Sequence, residues 1–301
     1  MFDKIKMLSR IGELYQQNQN IIRYLKNEYD QKENTVEDIL ISYDFQAGTS
    51  SAGYEKNPGY FEDYVPKLAK TIDNLSCNKR SIFECGVGEA NMLVALSNKM
   101  AGSPELLGGA DISWSRIKAG QQFASKYIKG QNKPFLCVGD MFQLPLADNA
   151  IDIVFTCEAV EPNAGHEREI LQELYRVTNE YLILLEPAYD LADEESRRRM
   201  EYHGYVRNLY NTAKELNFNI ESWELYGMNR NPLNPVGMMI IRKNAGADVV
   251  DKLCCPITKT PLKKVGNAYF SKESLLAYPI VNEVPCLTAS HAIVATKMEE
   301  Y

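Results

Sequence analysis

No apolar run in this 301-residue chain approaches the ~18 residues needed to span a bilayer. The opening Met1-Phe-Asp-Lys has neither the basic start nor the apolar core of a secretory signal. Both absences point to a cytoplasmic site of action and no membrane partner. Paired cysteines are lacking as well. The seven cysteines (Cys77, Cys85, Cys137, Cys157, Cys254, Cys255 and Cys286) are odd in number and scattered, so they read as reduced residues rather than a disulfide framework. Positive charge is in deficit, with 33 Lys and Arg against 40 acids and a net charge of −7. That balance gives no electrostatic reason to bind a phosphate backbone, which disfavours nucleic acid as a partner. What is present is ordinary for a folded globular protein. The sequence is 45% hydrophobic and 24% charged, and its 18 tyrosines argue against disorder. The length allows one large α/β domain plus something small.

The most informative segment is Ser81-Ile-Phe-Glu-Cys-Gly-Val-Gly-Glu-Ala-Asn-Met-Leu93, an apolar strand running into a Gly-x-Gly turn and then a helix. Gly86 and Gly88 lack a Cβ, so the backbone can turn sharply and approach a ligand, while the following helix N-terminus offers free N–H groups. Glu84 precedes the first glycine by two residues, and a second acid, Asp111, ends the next apolar run, Leu106-Leu-Gly-Gly-Ala-Asp111. A dinucleotide fingerprint, Gly-x-Gly-x-x-Gly, would place a small residue at Asn91, where asparagine fits poorly.

These residues resemble the class I S-adenosylmethionine-dependent methyltransferases, whose first motif reads acid-x-Gly-x-Gly-x-Gly and whose second strand ends in an acid. Ala90 stands in place of the third glycine, and its Cβ is expected to exclude a positive φ there. The order of elements agrees. A helix is expected over Ala90 to Met100, and a second over Ser115 to Tyr127 with its cap at Ser113 or Ser115. Strands are expected at Phe135–Val138, Ala150–Phe155 and Tyr181–Leu185, with a helix from about His166 to Val177 before the last of these. Ile-, Val- and Leu-rich strands alternating with helices imply a parallel sheet covered on both faces. A helical segment from about Glu194 to Leu216 then leads to two strands, Asn219–Tyr226 and Val236–Ile241, which should pair antiparallel. The resemblance implies an α/β, Rossmann-like, seven-stranded doubly wound sheet spanning residues 76–244.

By the same resemblance Asp111 accepts from the cofactor ribose, with Ile112 beside it, and Asp140-Met141 meets the adenine. Glu84 lies near the methionine ammonium, with Gly86 and Gly88 in close backbone approach. The acids of Asp148-Asn149-Ala150-Ile151-Asp152 are expected to shape the turn into the fourth strand. Methyl transfer asks the protein mainly for in-line geometry, plus a base when the acceptor must lose a proton. Candidates cluster beyond the fourth and fifth strands at Glu158, Glu161, Asn163, His166, Glu186 and Tyr189. His166, His203 and Glu158 are the candidate catalytic residues, with Glu158 equally a cofactor contact. Arg197-Arg-Arg199 reads as a solvated helix face, and the loop Asn229–Pro235 as a contributor to the acceptor pocket.

Residues 1–75 read as an N-terminal helical lid. Apolar residues from Ile5 to Leu25 fall on roughly one helical face, available to the main domain or to a second subunit in a homodimer. An aromatic, glycine-bearing loop over Tyr43–Tyr60 follows, from which Tyr54 or Tyr60 could close over the cofactor. Residues 245–301 read as a small β-rich (α+β) domain. Leu253-Cys-Cys-Pro-Ile-Thr-Lys-Thr-Pro-Leu262 and Leu275-Leu-Ala-Tyr-Pro-Ile280 resemble the small zinc-ribbon-like activator subunits of tRNA and protein methyltransferases. Thr258 replaces a ligand cysteine and Phe270–Ser274 holds none, so no metal is expected. From Ala245 onward six Lys face six acids, which leaves no basic footprint for RNA. The expected activity is S-adenosylmethionine-dependent O- or N-methylation of a small molecule such as a nucleotide sugar or surface-glycan precursor. The alternatives are methylation of a protein or tRNA, and a non-catalytic cofactor-binding scaffold.

Overall fold

The computed structural model describes residues 2–31, 33–130 and 132–300 of the chain. Its centre is a seven-stranded sheet built from β1 (Ser81–Cys85), β2 (Leu106–Asp111), β3 (Phe135–Val138), β4 (Ile151–Cys157), β5 (Thr178–Pro187), β6 (Asn219–Leu225) and β7 (Val236–Arg242). The spatial order is β3-β2-β1-β4-β5-β7-β6. β1 to β5 run parallel, and β7 pairs antiparallel with both β5 and β6. This is the Rossmann-like arrangement expected from the order of elements.

Period-2 alternation sends neighbouring strand residues to opposite faces. Ile82, Ile153 and Ile183 join a core with α6 (Pro58–Asn74), α7 (Asn91–Lys99) and α8 (Trp114–Tyr127). Phe83, Val154 and Leu182 join the other core, with α9 (Glu167–Val177) and α11 (Leu209–Glu215). Ser113 caps α8, its side chain accepting from Arg116 N.

Four local expectations are corrected. The apolar face from Ile5 to Leu25 is interrupted: α1 (Phe2–Ile5), α2 (Leu8–Gln16) and α3 (Ile21–Glu28) are separate. Asn18 adopts a left-handed φ of 58° and Asn20 caps α3, accepting from Arg23 N at 2.9 Å. The segment expected as a loop over Tyr43–Tyr60 is largely helical, in α4 (Val36–Phe45), α5 (Thr49–Lys56) and the start of α6. Gly48, at φ 92°, turns the chain between α4 and α5. The helical run from Glu194 to Leu216 divides into α10 (Glu194–His203) and α11, because Gly204 ends α10 in the left-handed region at φ 69°. Finally, Ala90 itself takes φ 57°. Its Cβ costs about 1–2 kcal/mol there, and complete burial of the side chain in the core offsets that strain.

The C-terminal residues form a small antiparallel sheet from β8 (Lys263–Val265), β9 (Ala268–Ser271), β10 (Leu276–Val281), β11 (Val284–Pro285) and β12 (Ile293–Val294). It docks against the β3 edge of the large sheet. Cys286 bridges Val138 in parallel register, and Leu287 N donates to Val138 O at 2.8 Å. Leu253 bridges Leu146, and Cys254 N donates to Pro145 O at 3.0 Å. The docking covers an edge that would otherwise expose unpaired backbone groups. Hydroxyls close its turns: Thr258 Oγ1 lies 2.8 Å from Thr260 Oγ1, which lies 2.6 Å from Ser271 Oγ.

Leu287, Tyr278 and Leu262 are buried in the same core as Ala110, Cys137 and Leu144. Leu287→Ala should therefore cost about 2–5 kcal/mol and lower a single cooperative transition of the whole chain in denaturant melts. A separate early transition that leaves the main transition in place would contradict this shared core.

Candidate active site

The carboxyl ends of the parallel strands open into one cavity of about 670 Å³, where ligands of doubly wound sheets bind. All nine residues expected at the cofactor line it: Tyr54, Glu84, Gly86, Gly88, Asp111, Ile112, Asp140, Met141 and Glu158. The turn after β1 is tight. Gly86 has φ 73°, and a Cβ there would stand 2.2 Å from Ala159 Cβ, so only glycine fits. A Cβ on Gly88 would meet Arg116 Nη2 at 2.9 Å.

Asp111 joins the two turns that follow β1 and β2. Its Oδ2 accepts from Gly88 N and its Oδ1 from Ser113 N, each at 2.9 Å. Asp140 Oδ1 accepts from Phe142 N at 2.9 Å, and burial raises this carboxyl above the usual range. Glu84 is buried and raised well above the carboxylate range, first by desolvation and then by Asp111. Among the described residues, Glu84 Oε2 and Asn91 Nδ2 are both buried without a hydrogen-bond partner. An orphaned acceptor and an orphaned donor at one end of the cavity complement an amino acid's ammonium and carboxylate. The chain thus fits the methionine moiety of S-adenosylmethionine on its own unmet polar groups.

The lid is clasped by two carboxylates facing in opposite directions. Glu89, from the body, accepts from Gly48 N, Ser50 N and Ser51 N at 2.9, 3.2 and 2.8 Å, capping α5 where the helix dipole favours negative charge. Asp44, from the lid, accepts from Ser113 Oγ, Ser115 N and Ser115 Oγ at 2.6, 3.1 and 2.9 Å. Arg116 lies over the Tyr43 ring and donates to Ser50 Oγ at 3.1 Å. Tyr54 sits in an aromatic cluster with Phe61, Phe123 and Tyr127 while lining the cavity.

At the acceptor end stand Glu158, Glu161 and Arg230. Glu158 directly follows β4 at a left-handed φ of 52°, a strained position for a side chain that faces a site. Burial raises its carboxyl and the Arg230 charge draws it back. Arg230 lies 5.0 Å above the Tyr60 ring. Glu186 anchors the loop beneath, accepting from Ala159 N, Val160 N and Glu161 N at 3.0, 3.1 and 3.2 Å.

The two candidate histidines are not brought to this cavity, which is a correction to their expected place. His166 precedes α9 and packs edge-to-face on Phe142, whose ring lines the cavity. His203, in the last turn of α10, stacks with Tyr205, and burial together with Arg199 and Arg23 lowers its pKa. Tyr189 lies in a short 3₁₀ turn, outside the lining. The Arg197–Arg199 run is not simply solvated: Arg197 donates to Tyr189 O and Asp190 O. Sequence reasoning missed Tyr43, Glu89, Asn91 and Arg116 as site residues. Glu89 directly follows Gly88, and Arg116 lies three residues beyond the Ser113 cap, so adjacency to the two turns was the available signal.

Fold and site together define a doubly wound nucleotide-type cofactor domain of the methyltransferase kind. Residues 83–181 match a family described as a methyltransferase domain. Among solved structures, magnesium protoporphyrin IX methyltransferase from Synechocystis PCC 6803 with bound S-adenosylhomocysteine aligns at a TM-score of 0.50 and 13% identity, covering 68% of this chain and 99% of that one. One chain of the complex between the Haloferax volcanii Trm112 methyltransferase activator and a methyltransferase aligns at 0.50 and 12%, covering 66% and 97%. No curated protein matches the sequence. The chain carries an S-adenosylmethionine-dependent methyltransferase domain, and S-adenosylmethionine is its cofactor.

Two outcomes check the geometry. Gly86→Ala combines a left-handed φ with a clash against Ala159, so it should cost about 2–4 kcal/mol and remove S-adenosylhomocysteine binding in calorimetry. Glu89→Gln should weaken the cap on α5 and raise amide exchange at Gly48, Ser50 and Ser51 roughly tenfold. Unchanged exchange at these three amides would dismiss the clasp.

Proposed function

We propose that this methyltransferase acts on a small molecule. The observation that carries the reading is the roof: residues of α4, α5 and α6, including Tyr43, Tyr54, Tyr60 and Phe61, line the same cavity as the glycine turn. A volume of about 670 Å³ is in the range of small-ligand pockets, and here it serves cofactor and acceptor together. In this reading Asp111 takes the ribose hydroxyls, Asp140 and the backbone at Met141 the adenine, and Glu84 and Asn91 the methionine head group. The cofactor supplies an electrophilic methyl group, and the chain fixes the acceptor and removes water. Transfer is to oxygen or nitrogen. Arg230, exposed at the cavity rim, would suit phosphate or carboxylate on the acceptor, as in a nucleotide sugar or surface-glycan precursor. The C-terminal sheet is read as an activator-like module fused to the enzyme, in a cytoplasmic protein. No helix among the described residues is long and apolar enough to cross a membrane.

The tail's resemblance to activators of tRNA and protein methyltransferases favours a second reading, a macromolecular acceptor. Tritiated S-adenosylmethionine distinguishes them when offered with nucleotide sugars and a low-mass metabolite extract, and separately with tRNA and total protein. Label in the small-molecule fraction is expected. Label only in tRNA or protein would overturn the small-molecule reading, and cofactor binding without label anywhere would favour a scaffold.

A further inference from the structure

The acceptor end of the cavity holds more carboxylates than its cations balance. Of Glu158, Glu161 and Glu186, the last is spent on three backbone N–H groups and lies outside the lining. Glu158 is raised by burial, with the Arg230 charge opposing the rise. Glu161 differs from both. It lines the cavity, its backbone is pinned by Glu186 and by Val206 N donating to its carbonyl at 2.9 Å, and its Oε2 accepts from Asn234 Nδ2 at 3.2 Å. Oε1 has no hydrogen bond among the described residues. The charged and titratable groups facing it are Glu158 and Glu186 on its own side, Arg199 of α10, and the phenols of Tyr43 and Tyr205.

We propose that Glu161 is the catalytic base of this site, ionised when a cationic cofactor enters the cavity and re-protonated by the acceptor as methyl transfer removes that charge. This rests on the methyltransferase reading above. The acceptor's lone pair forms the bond to the methyl carbon. The carbon–sulfur electron pair stays on sulfur, and the acceptor's proton goes to Glu161 Oε1. The sulfonium charge and the carboxylate charge vanish together, so the transfer leaves the net charge of the cavity unchanged.

The electrostatics run in the required direction. Burial, with Glu158 and Glu186 adding repulsion, pushes Glu161 up to about 8, so at pH 7.5 the empty site holds it mostly protonated. A positive charge entering the same low-dielectric space favours the ionised form and expels the proton. Once sulfur is neutral the affinity for a proton rises again, which retains the one taken from the acceptor.

The test needs no acceptor. Calorimetric titrations at pH 7.5, in buffers of differing ionisation enthalpy, count protons released on binding S-adenosylmethionine and S-adenosylhomocysteine. The two share an ammonium and a carboxylate and differ in the sulfonium. Wild type should release roughly half a proton more with S-adenosylmethionine, and Glu161→Gln should bind both ligands without the excess. Asn234→Ala, which removes a hydrogen bond that favours the ionised form, should enlarge it. Equal proton counts in wild type, an excess surviving in Glu161→Gln, or its loss in Glu158→Gln instead would overturn the assignment. Failure of wild type to bind either ligand is a different result, and removes the cofactor reading itself.

Discussion

The structure turns on one carboxylate. Asp111 ends β2 and accepts from Gly88 N on one oxygen and Ser113 N on the other, so the turns after β1 and β2 share an anchor at the mouth of the cavity. From this point the clasp extends outward: Ser113 donates to Asp44 of the lid, and Glu89, one residue past Gly88, caps the next lid helix. The cofactor turns and the lid are therefore parts of a single hydrogen-bonded frame. Charged hydrogen bonds of this kind are stronger than neutral ones, and they are concentrated where the sheet must hold a ligand rather than where the core is already close-packed.

The same frame leaves polarity unmet inside it. Glu84 Oε2 and Asn91 Nδ2 are buried without partners among the described residues, and the carboxyls of Glu84, Asp140, Glu158 and Glu161 are all raised by desolvation. Buried polar groups without partners are costly, and Glu84 and Asn91 both line the cavity, where a ligand can meet them. The protein carries an acidic interior that a cationic ligand relieves. That is the physical reason the binding of a sulfonium, as against a pyridine dinucleotide of net negative charge, suits this chain.

Much of the sheet was legible because the strands are short apolar runs whose burial leaves little choice of register. β2 and β3 begin and end where the sequence puts them, and the hairpin of β6 and β7 follows from the absence of a helix between two strand-like runs. The glycine turn was legible for a similar reason, since Gly86 tolerates no Cβ against Ala159. The lid was not. Its helices are short, and their breaks depend on single residues in left-handed conformations, Asn18 and Gly48, that helical periodicity does not register. Ala90 shows the converse, a residue whose intrinsic preference loses to burial of its methyl group. The histidines misled because residue type carries no direction: His166 precedes α9 and His203 ends α10, and their rings pack on Phe142 and Tyr205. Glu158 and Glu161, named among the candidates from the sequence, do stand in the cavity, and burial changes the chemistry open to them.

On its own residues, this cavity is built for S-adenosylmethionine. The most direct test is a calorimetric titration of the full chain with S-adenosylhomocysteine and, separately, with NAD⁺. Saturable one-to-one binding of the first and none of the second is expected. Binding of NAD⁺, or no heat with S-adenosylhomocysteine from folded protein, would contradict it.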